Sequence, residues 1–140
     1  MGNKGRILAI DFGLKKTGLA VTDELRIIAS GLKTVPSETL MDFLIDYSSK
    51  NDVAEIILGM PSRMDGSDSH VSQNVRLLKE ALEKQFKNIE VKFVDERFTS
   101  KMAVQTMIDS GLKKKARANK ELIDEISATI ILQSYLESIS

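Results

Sequence analysis

The spacing of its apolar runs most constrains what this chain can fold into. Three short runs come first, around Arg6 to Asp11, Thr17 to Thr22 and Arg26 to Leu32, separated only by "GLKK" and "DEL". Links that short can close antiparallel hairpins but cannot hold a crossover helix. The later runs, "EIILGM" and "IEVKFVDE", each follow a stretch of helical periodicity, which is the pattern of parallel strands. The first helix is predicted from Ser37 to Lys50, with Leu40, Phe43, Leu44 and Tyr47 on one face and Ser37 as its cap after Pro36. "PSRMDGSDS" reads as a loop, and a second helix follows through Val75, Leu78 and Leu82 toward Phe86. Further helices are expected from Thr99 to Ser110, ending at Gly111, and from Asn119 to Glu137. The predicted fold class is therefore α/β, a five-stranded mixed sheet flanked by helices, in one domain spanning residues 1–140.

Composition narrows the chemistry. The 140 residues include no cysteine, which excludes disulfides, thiolate zinc sites and cysteine nucleophiles and makes a reducing cytoplasm the expected location. No segment approaches the roughly 20 apolar residues of a membrane span, and Met1 to Arg6 leads into a strand rather than a signal peptide. Twenty basic and twenty acidic residues cancel, so net charge does not advertise nucleic acid. The basic residues are clustered nonetheless. Lys113, Lys114, Lys115, Arg117 and Lys120 form one group and Lys15 with Lys16 another, either a solvated surface or a phosphate-binding one.

Asp11 closes the buried run Ile7 to Ile10, and a buried carboxylate is costly unless paired or bound to metal. Asp95 and Glu96 end the fifth strand, and in such sheets sites form at the carboxyl ends of parallel strands. Taken singly, Asp11 reads equally well as capping the turn before Gly13, and "DER" as a solvated strand end. Asp124 adds a third acid. It shares a helical stripe with Ser127, Ala128, Ile131 and Tyr135, so it points with small and apolar residues. Glu125, about 100 degrees further round, reads as a surface residue, a second ligand or a charge near the helix start. Three converging carboxylates repel unless a cation joins them, and hard oxygen donors without histidine or cysteine suit Mg2+ or Mn2+. Such a cluster suits phosphodiester hydrolysis, with ions roughly 3.5 to 4 Å apart activating water and stabilising the leaving oxygen.

The blocks "ILAIDFGLKKTGLAVTD", "IILGMPSRMDGSDS", "VKFVDERFTS" and "IDEISATIILQSYL", in that order, resemble the YqgF (RuvX-like) family of the ribonuclease H-like superfamily over essentially the whole chain. The resemblance implies the sheet of the resolvase RuvC and a metal-dependent nuclease site. It makes Asp11, Glu96 and Asp124 the catalytic metal ligands, with Asp95 as the alternative to Glu96, since strand alternation sends the two to opposite faces. The family often has "DAIAA" where this chain has "DEISA". The implied substrate is the precursor of 16S ribosomal RNA, processed at its 5′ end. The alternatives are four-way DNA junctions and, outside enzymes, a module that only binds nucleic acid or protein. A homodimer is compatible with the junction reading and a monomer with end-trimming. Substrate contacts are expected from Lys15, Lys16, Arg63, Arg97, Lys113, Lys114, Lys115 and Arg117; Arg63 equally reads as solvent-facing, and Arg97 as a clamp on its acidic neighbours. Phe12 and Phe98 read as core rather than stacking platforms, and His70 as exposed rather than a general base.

Overall fold

The structure, a computed structural model, describes residues 5–60, 70–95 and 120–139. Five strands form one sheet: β1 (Arg6–Asp11), β2 (Lys16–Thr22), β3 (Ala29–Pro36), β4 (Val53–Met60) and β5 (Glu90–Asp95). Their order is β3-β2-β1-β4-β5, with β1, β2 and β3 antiparallel and β1, β4 and β5 parallel. The mixed sheet expected from the link lengths is thus present. A 3-10 turn (Ser37–Thr39) leads into α1 (Leu40–Lys50), α2 (His70–Gln85) precedes β5, and α3 (Lys120–Ile139) closes the described chain. The expected helix from Thr99 to Ser110 lies outside the described residues.

Strand alternation divides the core between the two faces of the sheet. Leu8, Ile10, Leu19, Ile56 and Leu58 pack with Leu40 and Leu44 of α1 and Val75 and Leu82 of α2. Ile7, Ala9, Ala20 and Ile57 face the other way and meet Ala128, Ile131, Leu132 and Tyr135 of α3. Phe12 packs against the first cluster, as expected of a core residue. No helix among the described residues is long and apolar enough to cross a membrane.

Two local expectations need correction. The third strand runs from Ala29 to Pro36 rather than from Arg26 to Leu32. Asp23 explains the shift, since its carboxylate accepts the amides of Leu25 (3.2 Å), Ile27 (2.8 Å) and Ile28 (2.8 Å) and gathers the preceding residues into a loop. The Ile28 amide is the largest of the influences that hold its carboxyl below the ordinary aspartate value. Arg26 adopts a φ of 60° within this loop, and Leu25, Ile27 and Ile28 are exposed. Apolar residues there imitated a strand.

Ser37 is also not the cap of α1. Thr39 holds that position without a side-chain cap bond. The Ser37 hydroxyl instead donates to the Gly13 carbonyl (2.5 Å), and its amide donates to the Lys15 carbonyl (2.9 Å). With its own proton so committed, Ser37 accepts from the buried Thr17 hydroxyl at 2.7 Å. The end of β3 therefore clamps the β1–β2 turn.

Candidate active site

The parallel run of β1, β4 and β5 brings Asp11, Met60 and Asp95 to one edge of the sheet. Antiparallel β2 begins at that edge, so the exposed Lys15 and Lys16 stand there too. Asp11 follows Ile7 and Ala9 at intervals of two, so it shares the face covered by α3. It is half-buried, and its cross-strand partner is Gly18.

Gly18 joins the two described acids. A Cβ placed on it would stand 2.1 Å from the Asp124 carbonyl oxygen, 2.4 Å from the Asp124 carbonyl carbon and 3.0 Å from the Asp124 Cβ. The helix backbone at Asp124 therefore rests directly on the residue paired with Asp11. Cα atoms of a cross-strand pair lie roughly 4.5 to 5.5 Å apart. Asp124 is only 8% exposed, and Ser127, Ala128, Ile131 and Tyr135 of its stripe are all buried, as their spacing predicts.

Glu125 turns elsewhere. A Cβ on Gly31 of β3 would meet its Oε1 at 2.6 Å and its Cγ at 3.0 Å, so its side chain lies over β3. None of its three readings, as a surface residue, a second ligand or a charge near the helix start, anticipated this packing against the neighbouring strand.

Glu96, Arg63, Arg97, Lys113, Lys114, Lys115 and Arg117 lie outside the described residues, as does Phe98. Among the described residues no group of three or more acids, histidines or cysteines is assembled that could hold a metal. The Asp11 and Asp124 pair fits a hard divalent cation by donor type, being carboxylate oxygen on one shared face. A cavity of about 520 Å³ lies at the opposite edge, between Asn51, Asp52, Gln85 and Lys87, away from these acids.

The sequence reading missed one partly buried polar cluster on the α3 face, nearer the amino ends of the parallel strands. Glu55 of β4 is buried, and its Oε1 accepts the Tyr135 hydroxyl of α3 and lies 3.0 Å from Lys92 Nζ of β5. Lys92 also donates to the Tyr135 hydroxyl at 3.2 Å. The signal was available: an acid opening an otherwise apolar strand run, and a tyrosine on the stripe of Asp124.

The family described as "RuvX: Holliday junction resolvase" matches residues 5–138. The chain belongs to the RuvX family. A relative from Phocaeicola vulgatus, named "Putative pre-16S rRNA nuclease", is 57% identical over 133 residues, covering 95% of this chain and 96% of that one. One of the same name from Flavobacterium psychrophilum is 55% identical over 131 residues, covering 94% and 96%. Among solved structures, Fowlpox virus resolvase with Holliday junction DNA superposes with a TM-score of 0.58 at 17% identity, covering 96% of this RuvX chain and 98% of that one. Thermus thermophilus RuvC with its junction substrate gives 0.57 at 15%, covering 97% and 96%. At such identities the likeness is one of fold, and the fold is the ribonuclease H-like one.

Proposed function

We propose that this chain is a metal-dependent nuclease that hydrolyses phosphodiester bonds in the precursor of 16S ribosomal RNA, in the cytoplasm. One observation carries the reading: Asp11 and Asp124, far apart in sequence, share one face at the carboxyl edge of the sheet, with Gly18 between them. The names of relatives more than 50% identical over nearly the whole chain favour ribosomal RNA as substrate.

Asp11 and Asp124, with Glu96, would hold Mg2+ or Mn2+. The row Ile10, Leu58 and Phe93 crosses the parallel strands, and Val94 packs on the α3 side. A period of two then favours Glu96 over Asp95 as the third ligand. Bound there, the cation would activate water and stabilise the leaving oxygen. Burial of Asp124 beside Ser127 and Ala128 limits competing water around its carboxylate, and the turn clamped by Ser37 holds Lys15 and Lys16 at the same edge for backbone phosphates. Arg63, Arg97, Lys113, Lys114, Lys115 and Arg117 complete the proposed substrate contacts.

The test is cleavage of a ribosomal-RNA precursor fragment and a four-way DNA junction side by side, with Mg2+, Mn2+ or chelator. Wild type should cut the RNA only with metal, and Asp11→Asn should lower the rate by at least about 100-fold. Cutting of the junction alone would replace the RNA reading with the activity in the family's description. Unchanged cleavage by Asp11→Asn would remove the acid pair from the chemistry.

A further inference from the structure

Gly18 carries no chemical group, yet it sits where the two acids meet. It is the cross-strand partner of Asp11 and the floor beneath the backbone of Asp124. The atoms a Cβ would strike at 2.1 and 2.4 Å are the Asp124 carbonyl oxygen and carbon, which cannot swing aside as a side chain can. Non-bonded atoms settle near 3.5 Å, so any side chain at this position lifts the helix at Asp124 by roughly 1 Å or more.

We propose that Gly18 is a positioning residue: by having no side chain it seats α3 on β2 at the height that sets the separation of the Asp11 and Asp124 carboxylates, and so the fit of the cation between them. The proposal rests on the metal-dependent reading above. It follows from how little misplacement a small hard cation tolerates. Mg2+ requires near-ideal octahedral geometry at about 2.0 to 2.1 Å, whereas Ca2+ accepts about 2.3 to 2.6 Å and irregular coordination. A displacement of roughly 1 Å far exceeds the ±0.2 Å tolerance of metal–ligand distances.

Gly31 supplies the contrast. It lies under the same helix one strand further out, but the three atoms nearest its added Cβ all belong to the Glu125 side chain, Oε1 at 2.6 Å, Cγ at 3.0 Å and Cδ at 3.2 Å. That carboxylate can rotate away, leaving the helix in place.

The experiment is calorimetric titration of the full chain with Mg2+ and with Ca2+, without nucleic acid, after circular dichroism has confirmed folding. Gly18→Ala should weaken Mg2+ binding by about 10- to 100-fold, the range seen when residues that orient ligands are changed. It should weaken Ca2+ binding less, and Gly31→Ala should leave both near wild type. Asp124→Glu on the native seat should also weaken Mg2+, because the extra methylene misplaces the carboxylate. In the Gly18→Ala background the same change should restore affinity, because the longer side chain bridges the lifted helix. A role limited to stability would not produce that reversal.

Wild-type Mg2+ affinity in Gly18→Ala, together with its loss in Asp11→Asn, would overturn the positioning role while leaving the metal reading intact. Undiminished Mg2+ binding in Asp11→Asn would instead overturn the metal reading. Should Gly18→Ala not fold, Asp124→Glu alone decides: unchanged Mg2+ affinity would mean the seat does not set the ligand separation.

Discussion

At the scale of single residues, the sheet edge that carries Asp11 is held in shape by side chains other than the acids. Ser37 is the clearest case: its hydroxyl joins the Gly13 carbonyl to the buried Thr17 hydroxyl, and its amide ties down the Lys15 carbonyl. Ser37→Ala deprives two polar groups of their partner and should cost about 1 to 3 kcal/mol, read as a lower urea midpoint at unchanged m-value. Because the clamped turn carries Lys15 and Lys16, RNA affinity should fall as well, whereas an unchanged midpoint would make the clamp incidental. Sequence assigned Ser37 to the helix because Pro-Ser before an apolar helical stripe has the form of a cap. The choice between capping its own helix and bonding a turn 24 residues earlier is tertiary. The placement of Asp11 and Asp124 was legible because periods of 2 and 3.6 report which face a residue shares. Gly18 was not, since a glycine's importance lies in what approaches it.

At the scale of elements, α3 packs on the sheet through Ala128, Ile131 and Leu132, with the Gly18 floor near its start and the Glu55–Lys92–Tyr135 cluster near its end. The cluster ties α3 to β4 and β5 through a carboxylate that would be costly to bury alone. Its hydrogen bond to Glu55, foremost, raises the Lys92 ammonium above the ordinary lysine value, and burial raises the Tyr135 hydroxyl above the ordinary tyrosine value. Both shifts favour the protonated forms in the folded chain. Their stabilisation is therefore complete below the unfolded values, near pH 10, and is lost as pH rises through the higher folded ones. Lys92→Met should be destabilised by about 1 to 2 kcal/mol at pH 7, a figure reduced because the Lys92 side chain is 42% exposed. The deficit should hold from pH 7 to 10 and narrow above that. Thermal melts of both proteins across this range test it, and a gap that widened with alkali would contradict the cluster's assigned charges. Element order and pairing sense were readable from link lengths, but β3 was misplaced because Ile27 and Ile28 have strand propensity and lie in an exposed loop organised by Asp23.

For the whole molecule, equal numbers of acidic and basic residues mean that no long-range field from net charge draws in a polyanion. Any attraction must come from how charge is distributed. The fold places Lys15 and Lys16 at the same edge as Asp11, on a turn fixed by Ser37, while Asp52 and Lys87 sit around the cavity at the opposite edge. Binding of single-stranded RNA should therefore depend on salt through a few local contacts. Each phosphate contact contributes about 0.7 to the slope of log affinity against log salt. Replacing both lysines, as Lys15→Gln with Lys16→Gln, should flatten that slope by about 1.4 if each meets one phosphate. The same variant should keep its Mg2+ affinity, because neither lysine supplies a carboxylate. Fluorescence anisotropy of a labelled RNA from 50 to about 200 mM salt gives the slope directly. An unchanged slope with weaker binding would mean that the lysines shape the turn without touching phosphate. An unchanged slope with unchanged affinity would move the entry path for RNA away from this side of the acid pair.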